Sequence, residues 1–148
     1  MSEVSQGGFL ITKIHNMGAR IFSKKLKEYD IEIGPGQGRI IFALWQEDEI
    51  PISELARKTA LGKSTLTDLL DRLSEAGLVI RTHHPTDRRV TLIRLTDAAR
   101  EMQSKYEMVS KEMTNLFYSG FTQNEVDELE RYLMKLLSNL LDVENSSN

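Results

Sequence analysis

Apolar residues recur at helical spacing through the first part of the chain. Between Phe9 and Tyr29 they lie three or four positions apart with basic residues between them, which predicts a long amphipathic helix. A Gly-Pro-Gly stretch at 34–36 interrupts this pattern. The apolar run that follows, from Gln37 to Gln46, predicts a second helix.

Two shorter helical patterns follow Pro51, one from Ser53 to Lys58 and one from Lys63 to Ala76. The second carries leucines at positions 66, 69, 70 and 73, a spacing that places them in one stripe on a helix and leaves the opposite face polar. Gly62 fits the N-cap of this helix, and Gly77 fits a left-handed residue just beyond its end.

A hairpin is predicted after these helices. The segments 78–82 and 90–95 are rich in β-branched residues, which favours two strands. The polar segment between them, from His83 to Arg89, is basic and longer than a tight turn needs. We therefore expect either a floppy loop or one that reaches toward a partner.

Two long helices are predicted in the last third. Thr96 is a suitable N-cap for a helix to about Tyr118, and Thr122 with Glu125 forms a capping-box motif that opens the last helix. Both patterns repeat apolar residues at alternating spacings of three and four, as in coiled coils. This apolar surface is more than a small core can cover, so the sequence predicts a homodimer, in which both copies bury the same patch.

The resulting fold class is mainly α (α+β): a winged helix-turn-helix domain with N- and C-terminal helices forming a dimerisation region. We expect one domain over residues 1–148. Its winged helix-turn-helix core is expected at 36–95, with the dimerisation helices at 5–30 and 97–144.

Composition removes several classes of function. The chain has no cysteine, which excludes disulfides, thiolate metal sites and a thiol nucleophile. Its three histidines do not have metal-ligand spacing, and no serine or threonine has an arguable base partner, so we expect no metal, no cofactor and no enzymatic activity. With neither a long apolar span nor a signal-peptide pattern, a cytoplasmic protein without membrane contact is expected.

Charge is unevenly distributed along the chain. Residues 51–95 hold eight basic and five acidic side chains, a net charge of +3, whereas residues 96–148 hold five basic and ten acidic side chains, a net charge of −5. This weak asymmetry favours a polyanion-facing central module between acidic flanks.

The residues of this central module resemble those of the MarR family of transcription regulators. The resemblance rests on the runs Ser53-Glu54-Leu55-Ala56, Lys63-Ser64-Thr65-Leu66-Thr67, Leu70-Asp71-Arg72-Leu73, Gly77-Leu78-Val79, Asp87-Arg88-Arg89 and Leu95-Thr96, together with Arg81. It extends over nearly the whole chain, since the long terminal helices match the dimerisation region of the family.

The resemblance implies which residues contact double-stranded DNA. The helix from Lys63 would enter the major groove, with Lys63 at the phosphates, and the wing would reach the minor groove through Arg88 and Arg89. Asp87 and Arg89 match the D-x-R pattern of the family wing. The full expected set is Lys63, Ser64, Thr65, Thr67, Asp68, Arg72, His83, His84, Arg88 and Arg89. Asp71 is expected instead to form an ion pair with Arg72 or Arg81.

The expected function is that of a homodimeric, sequence-specific DNA-binding transcriptional regulator acting at a near-palindromic operator. The family resemblance implies a repressor that is relieved by a small hydrophobic or aromatic effector. Two alternatives stay open at this point: an architectural protein that binds DNA of any sequence, and a protein-interaction module that uses the same fold.

Overall fold

The computed structural model describes residues 4–34 and 36–147, which form helices and one small sheet. In chain order the elements are α1 (Gly7–Glu28), α2 (Gln37–Gln46), β1 (Ile50–Pro51), α3 (Ile52–Thr59), α4 (Lys63–Glu75), β2 (Val79–His83), β3 (Thr91–Leu95), α5 (Asp97–Glu101), α6 (Gln103–Phe117) and α7 (Gln123–Ser146). The chain divides into two compact units, one up to Ser110 and one from Lys111.

The predicted limits of α4 are confirmed by its backbone. Gly62 is the N-cap residue in an extended conformation, and Gly77 follows the helix with a φ of +75°. A side chain at Gly77 would strain this left-handed backbone, so glycine ends the helix at little cost. The leucine stripe is buried as predicted, with Leu66, Leu70 and Leu73 fully inaccessible to solvent.

The sheet contains a strand that the sequence analysis missed. Its order is β1-β3-β2 with antiparallel neighbours, and Ile50 pairs with Ile93 in the centre. A strand of two residues ending in proline shows no alternating pattern of its own, so only its pairing with β3 reveals it. The prediction that His83 lies in the loop is wrong, because His83 pairs with Thr91 as the last residue of β2.

The helix predicted from Thr96 to about Tyr118 is divided into α5 and α6 at Met102. Thr96 is the N-cap as predicted, and its hydroxyl oxygen accepts a hydrogen bond from the amide of Ala99 at 3.3 Å. The carbonyl oxygen of Ala99 accepts the indole N–H of Trp45 at 3.2 Å. A side chain that bonds into the backbone ladder of a helix is a recognised cause of such breaks.

The core of the first unit lies between the short helices and the sheet. Its fully buried members come from α2, α3, α4 and β3, for instance Ile41, Leu44, Leu55, Leu70 and Ile93. An aromatic cluster extends this core.

Tyr106 of α6 forms the centre of that cluster. Its ring contacts Phe22 at 5.4 Å and Trp45 at 4.8 Å between ring centroids, both in edge-on geometry. Burial of the phenol raises the pKa of Tyr106 to about 12. The neutral phenol is therefore part of the folded core.

The second unit comprises the end of α6 and all of α7. The predicted capping box is confirmed: the amide of Thr122 donates to the Glu125 carboxylate at 2.9 Å, and the amide of Glu125 donates to the Thr122 hydroxyl at 3.2 Å. The hydrogen bond from the Thr122 backbone lowers the pKa of Glu125. Within α7 itself no residue is buried, and no helix of the described chain is long and apolar enough to span a bilayer.

Candidate nucleic-acid interface

One face of α4 is polar and exposed because the opposite face is anchored in the core. Leu66, Leu69, Leu70 and Leu73 are buried, so the residues between them must point outward. The exposed set contains every residue that the sequence analysis assigned to this helix: Lys63, Ser64, Thr65, Thr67, Asp68 and Arg72. The structure therefore presents these side chains together on one surface.

Two contacts order this polar face. The hydroxyl of Thr67 donates to the carbonyl oxygen of Lys63 at 2.9 Å, which leaves its methyl group and oxygen lone pairs available outward. The Asp68 carboxylate lies 3.3 Å from the guanidinium of Arg72, one turn further along α4. Asp68 is therefore partly neutralised by its own helix.

An ion pair joins α4 to the hairpin. The guanidinium of Arg81, in β2, donates to the Asp71 carboxylate at 2.7 Å. This confirms one of the two pairings expected for Asp71; Arg72 pairs with Asp68 instead. The Asp71 carboxylate is consequently not an unpaired negative charge on the polar face of α4.

The hairpin forms a wing whose tip is the loop from His84 to Val90. At this tip Asp87 holds Arg89 in a fork: Nε donates to Oδ1 at 3.1 Å and Nη2 to Oδ2 at 3.2 Å. The backbone amide of Arg89 also donates to Oδ1 at 3.0 Å. These hydrogen bonds lower the pKa of Asp87, with the Arg89 side chain as the main cause.

The cationic side chains of the wing tip remain open to solvent. The Arg89 side chain is 90% exposed despite its fork with Asp87. Arg88 is also exposed, and among the described residues it makes no ion pair. Asp87 therefore fixes the direction of one guanidinium without covering it.

The two wing histidines differ in their freedom. His83 is exposed at the end of β2, whereas His84 is half-buried in the loop. The Nδ1 atom of His84 accepts the backbone N–H of Thr86 at 3.2 Å. Only the other ring nitrogen of His84 is therefore left for a contact outside the wing.

Asp48, between α2 and β1, is not among the residues predicted from the sequence. Its carboxylate bonds to the amide of Leu95 and to the guanidinium of Arg100, 47 and 52 residues away in sequence. No local pattern carries a signal for such distant partners. Among the described residues no cluster of three or more metal-ligating side chains is present.

A helix pair followed by a hairpin wing, with a polar exposed face on the second helix, defines a winged helix-turn-helix protein. Residues 33–91 match the model of the MarR family. The chain is 26% identical over 132 residues to the HTH-type transcriptional repressor IacR of Pseudomonas putida, a match that covers 89% of this chain and 78% of that protein.

Solved structures agree with this class. A MarR transcriptional regulator from Methanosarcina mazei Go1 has the same fold, with a TM-score of 0.81 at 24% identity over 92% of this chain and 96% of the other. A mutant MarR from E. coli complexed with operator DNA has a TM-score of 0.80 at 25% identity over 92% of this chain and 99% of the other. The chain is therefore similar to MarR-family transcriptional regulators, in sequence over its winged-helix core and in fold over most of its length.

Proposed function

We propose that the protein is a homodimeric transcriptional repressor that binds a near-palindromic operator in double-stranded DNA. The observation that carries this proposal is the joined surface of α4 and the wing. The polar face of α4 is exposed, and the Asp71–Arg81 ion pair at 2.7 Å connects this helix to the strand that leads to Arg88 and Arg89. The core at 36–95 acts as the DNA-binding part of the chain.

In this proposal α4 lies in the major groove. Lys63 and the backbone amides at the start of α4 hold phosphates. Ser64, Thr65 and Thr67 face base edges, where a threonine methyl group can contact the methyl group of thymine. Contact of Arg72 with a phosphate frees Asp68 to accept a hydrogen bond from a cytosine amino group.

The wing contributes cations to the neighbouring minor groove. A narrow A·T-rich groove concentrates negative potential and attracts inserted arginines. Arg89 is suited to this contact because its hydrogen bonds to Asp87 fix the direction of the guanidinium while the side chain remains 90% exposed. Arg88 reaches the same groove, and His83 and the free ring nitrogen of His84 add contacts to the backbone phosphates.

A second copy of the chain is proposed to cover the apolar faces of the terminal helices. On α7, Met134 is 63% exposed and Leu140 is 67% exposed, although the helix repeats apolar residues at regular spacing. Phe9, Ile11 and Ile14 of α1 are likewise exposed. Exposed apolar patches of this kind mark interaction surfaces, and a twofold dimer buries the same patch on both copies. Helices at 5–30 and 97–144 would form this interface.

Repression and its relief are proposed by analogy with relatives of this chain. The relative IacR is named a transcriptional repressor, and the E. coli MarR mutant was solved with operator DNA. A small hydrophobic or aromatic ligand would relieve repression by favouring a spacing of the two α4 helices that does not fit the operator.

The test of DNA recognition is selection of duplexes from a random-sequence pool, followed by titration of the enriched duplex and a scrambled duplex at physiological salt. We expect an inverted repeat that binds about 10³-fold more tightly than the scrambled duplex. Equal affinity for both duplexes would indicate an architectural protein instead. Failure to bind any duplex would indicate a protein-interaction module.

Matched variants test the roles of individual residues. Arg89→Ala is expected to weaken operator binding, whereas Arg131→Ala, an exposed arginine of α7, serves as the control and should leave it unchanged. Thr67→Ala is expected to shift the preferred sequence. Uniform loss across all sequences would mean that Thr67 only positions the backbone.

The dimer has a separate test in analytical ultracentrifugation. We expect a mass near twice 16.9 kDa for the native chain. Leu140→Asp places a charge in the apolar face of α7 and should yield monomers, while Asp142→Asn on the same helix should not. A native chain that sediments as a monomer would contradict the proposed dimer.

A further inference from the structure

The Asp48 carboxylate joins both ends of the segment that leads from the wing to α5. Its Oδ1 atom accepts the amide N–H of Leu95, the last residue of β3, at 2.9 Å. Its Oδ2 atom accepts from the guanidinium of Arg100, in α5, at 2.7 Å. One carboxylate thus holds the strand and the helix that follows it, and rotation of α5 against β3 would break one of the two contacts.

Two further hydrogen bonds fix the same segment to the winged-helix core. The hydroxyl of Thr96 donates to the carbonyl oxygen of Gly77, just beyond α4, at 2.7 Å. The indole N–H of Trp45, in α2, donates to the carbonyl oxygen of Ala99 at 3.2 Å. The start of α5 is therefore held by hydrogen bonds to α2, to the end of α4 and, through Asp48, to the loop before β1.

The backbone at Asp48 is itself held in an uncommon conformation. Glu49 has a φ of +53°, in the left-handed region that non-glycine residues rarely adopt. Its amide donates to Oδ1 of Asp48 at 2.8 Å. Such a conformation persists where the surrounding contacts determine it, which here are the contacts of the Asp48 carboxylate.

We propose that Asp48 and Arg100 are positioning residues for DNA recognition. Their ion pair fixes the direction of α5 relative to the winged-helix core, and thereby the separation of the two α4 helices in the dimer. This inference rests on the proposed function.

The Asp48–Arg100 ion pair is too exposed to contribute much to stability, which distinguishes a positioning role from a stabilising one. The Arg100 side chain is 53% exposed and that of Asp48 is 27% exposed. Water weakens an ion pair at such a site, so its contribution to the free energy of unfolding is small. The effect of the Asp48 carboxylate on geometry is not reduced in the same way, because this carboxylate holds Leu95 and Arg100 at opposite ends of one short segment.

Three substitutions separate the contacts. Asp48→Asn removes the charge but keeps an oxygen that can accept from Leu95, and Arg100→Gln removes the other charge. Arg131→Gln is the matched control, since it breaks an exposed pair with Glu128, at 3.8 Å, on α7. All three replace a charged side chain with an amide at an exposed or half-exposed pair.

The distance between the two α4 helices can be measured directly. Because the chain has no cysteine, Glu75→Cys at the exposed end of α4 provides one spin-label site per copy, for pulsed electron resonance on the full-length dimer. We expect a narrow distance distribution with native residues at 48 and 100 and with Arg131→Gln. Asp48→Asn and Arg100→Gln should each broaden it, and the double variant should broaden it no further.

A purely structural role predicts a different result. It would lower the thermal midpoint of the variants and leave the width of the distance distribution unchanged, which would overturn the proposal. If no distance between spin labels on two copies is detected, both the proposed dimer and this inference are overturned. A dimer with unchanged width overturns only the inference, so the two failures are distinguishable.

Binding provides the second readout. The probes are the selected inverted repeat, the same repeat lengthened or shortened by one base pair, and a single half-site. We expect the ratio of affinities for the selected repeat and for the repeats of altered length to fall about five-fold in Asp48→Asn and in Arg100→Gln. The affinity for the single half-site should not change. Equal losses on every duplex would contradict a role in spacing.

Discussion

Gly38 lies under the hydroxyl of Tyr106, and this contact leads to a prediction in which two opposing effects can be weighed. A Cβ atom at Gly38 would lie 2.7 Å from the Tyr106 hydroxyl oxygen, closer than any ordinary contact. Tyr106 is only 5% exposed and is packed between Phe22 and Trp45, so its ring has little room to retreat. Gly38→Ala therefore forces overpacking in the aromatic cluster.

Overpacking opposes the intrinsic preference of a helix for alanine. Replacing a helical glycine with alanine stabilises by roughly 0.5–1 kcal/mol, whereas overpacking a well-packed core costs about 1–3 kcal/mol. We expect Gly38→Ala to lower the free energy of unfolding by about 1 kcal/mol. In the Tyr106→Phe background the nearest remaining ring atoms are 3.5 Å and 3.6 Å away, an ordinary contact, so the same change should stabilise.

The assay is urea unfolding at one fixed protein concentration, followed by the fluorescence of Trp45, the one tryptophan of the chain. Native protein, each single variant and the double variant form a thermodynamic cycle. Opposite signs for Gly38→Ala in the two backgrounds would support the reasoning. A stabilising effect in both backgrounds would refute it, since the hydroxyl would then impose no restriction on position 38.

Three further predictions concern single side chains. The ordinary pKa of tyrosine is 10.0 and that of Tyr106 is about 12, so between these values the folded chain keeps a proton that the unfolded chain has lost. In this window Tyr106 should thus lower the free energy of unfolding by up to about 1.4 kcal/mol per pH unit as the pH rises, and Tyr106→Phe should remove that contribution, as measured by urea unfolding. The raised pKa of Tyr118, caused mainly by burial, gives a fall of the same sign that remains in the variant. Leu70→Ala should cost about 2–5 kcal/mol because it leaves a cavity behind α4, while the exposed Thr67→Ala should stay within about 0.5 kcal/mol in the same assay. Thr122→Ala removes one half of the capping box and should cost about 1 kcal/mol, seen as faster amide exchange in the first turn of α7; unchanged exchange would contradict a capping role.

Much of the fold is determined by signals that span only a few residues. The leucine stripe of α4 follows from spacings of three and four, and the two ends of this helix follow from Gly62 and Gly77. The same stripe assigns the polar face of the candidate site, because burying one side of a helix exposes the other. The capping box at Thr122 is local in the same sense.

Other features exist only because distant segments meet. β1 is too short to show a pattern and is defined by its pairing with β3. The interruption of the helix at Met102 accompanies a hydrogen bond from Trp45 to the backbone of the helix, which the spacing of residues within the helix does not predict. His83 is a strand residue because Thr91 lies opposite it.

In the candidate site, too, some features follow from local sequence and others from contacts between distant segments. The sequence by itself determined which side chains of α4 are polar and exposed, since helical periodicity decides the direction of each side chain. Only the tertiary structure decided that Asp71 chooses Arg81 over Arg72, and that Asp48 bridges Leu95 and Arg100. Such pairings depend on distances between elements, which the packing of the core sets and which no local pattern encodes.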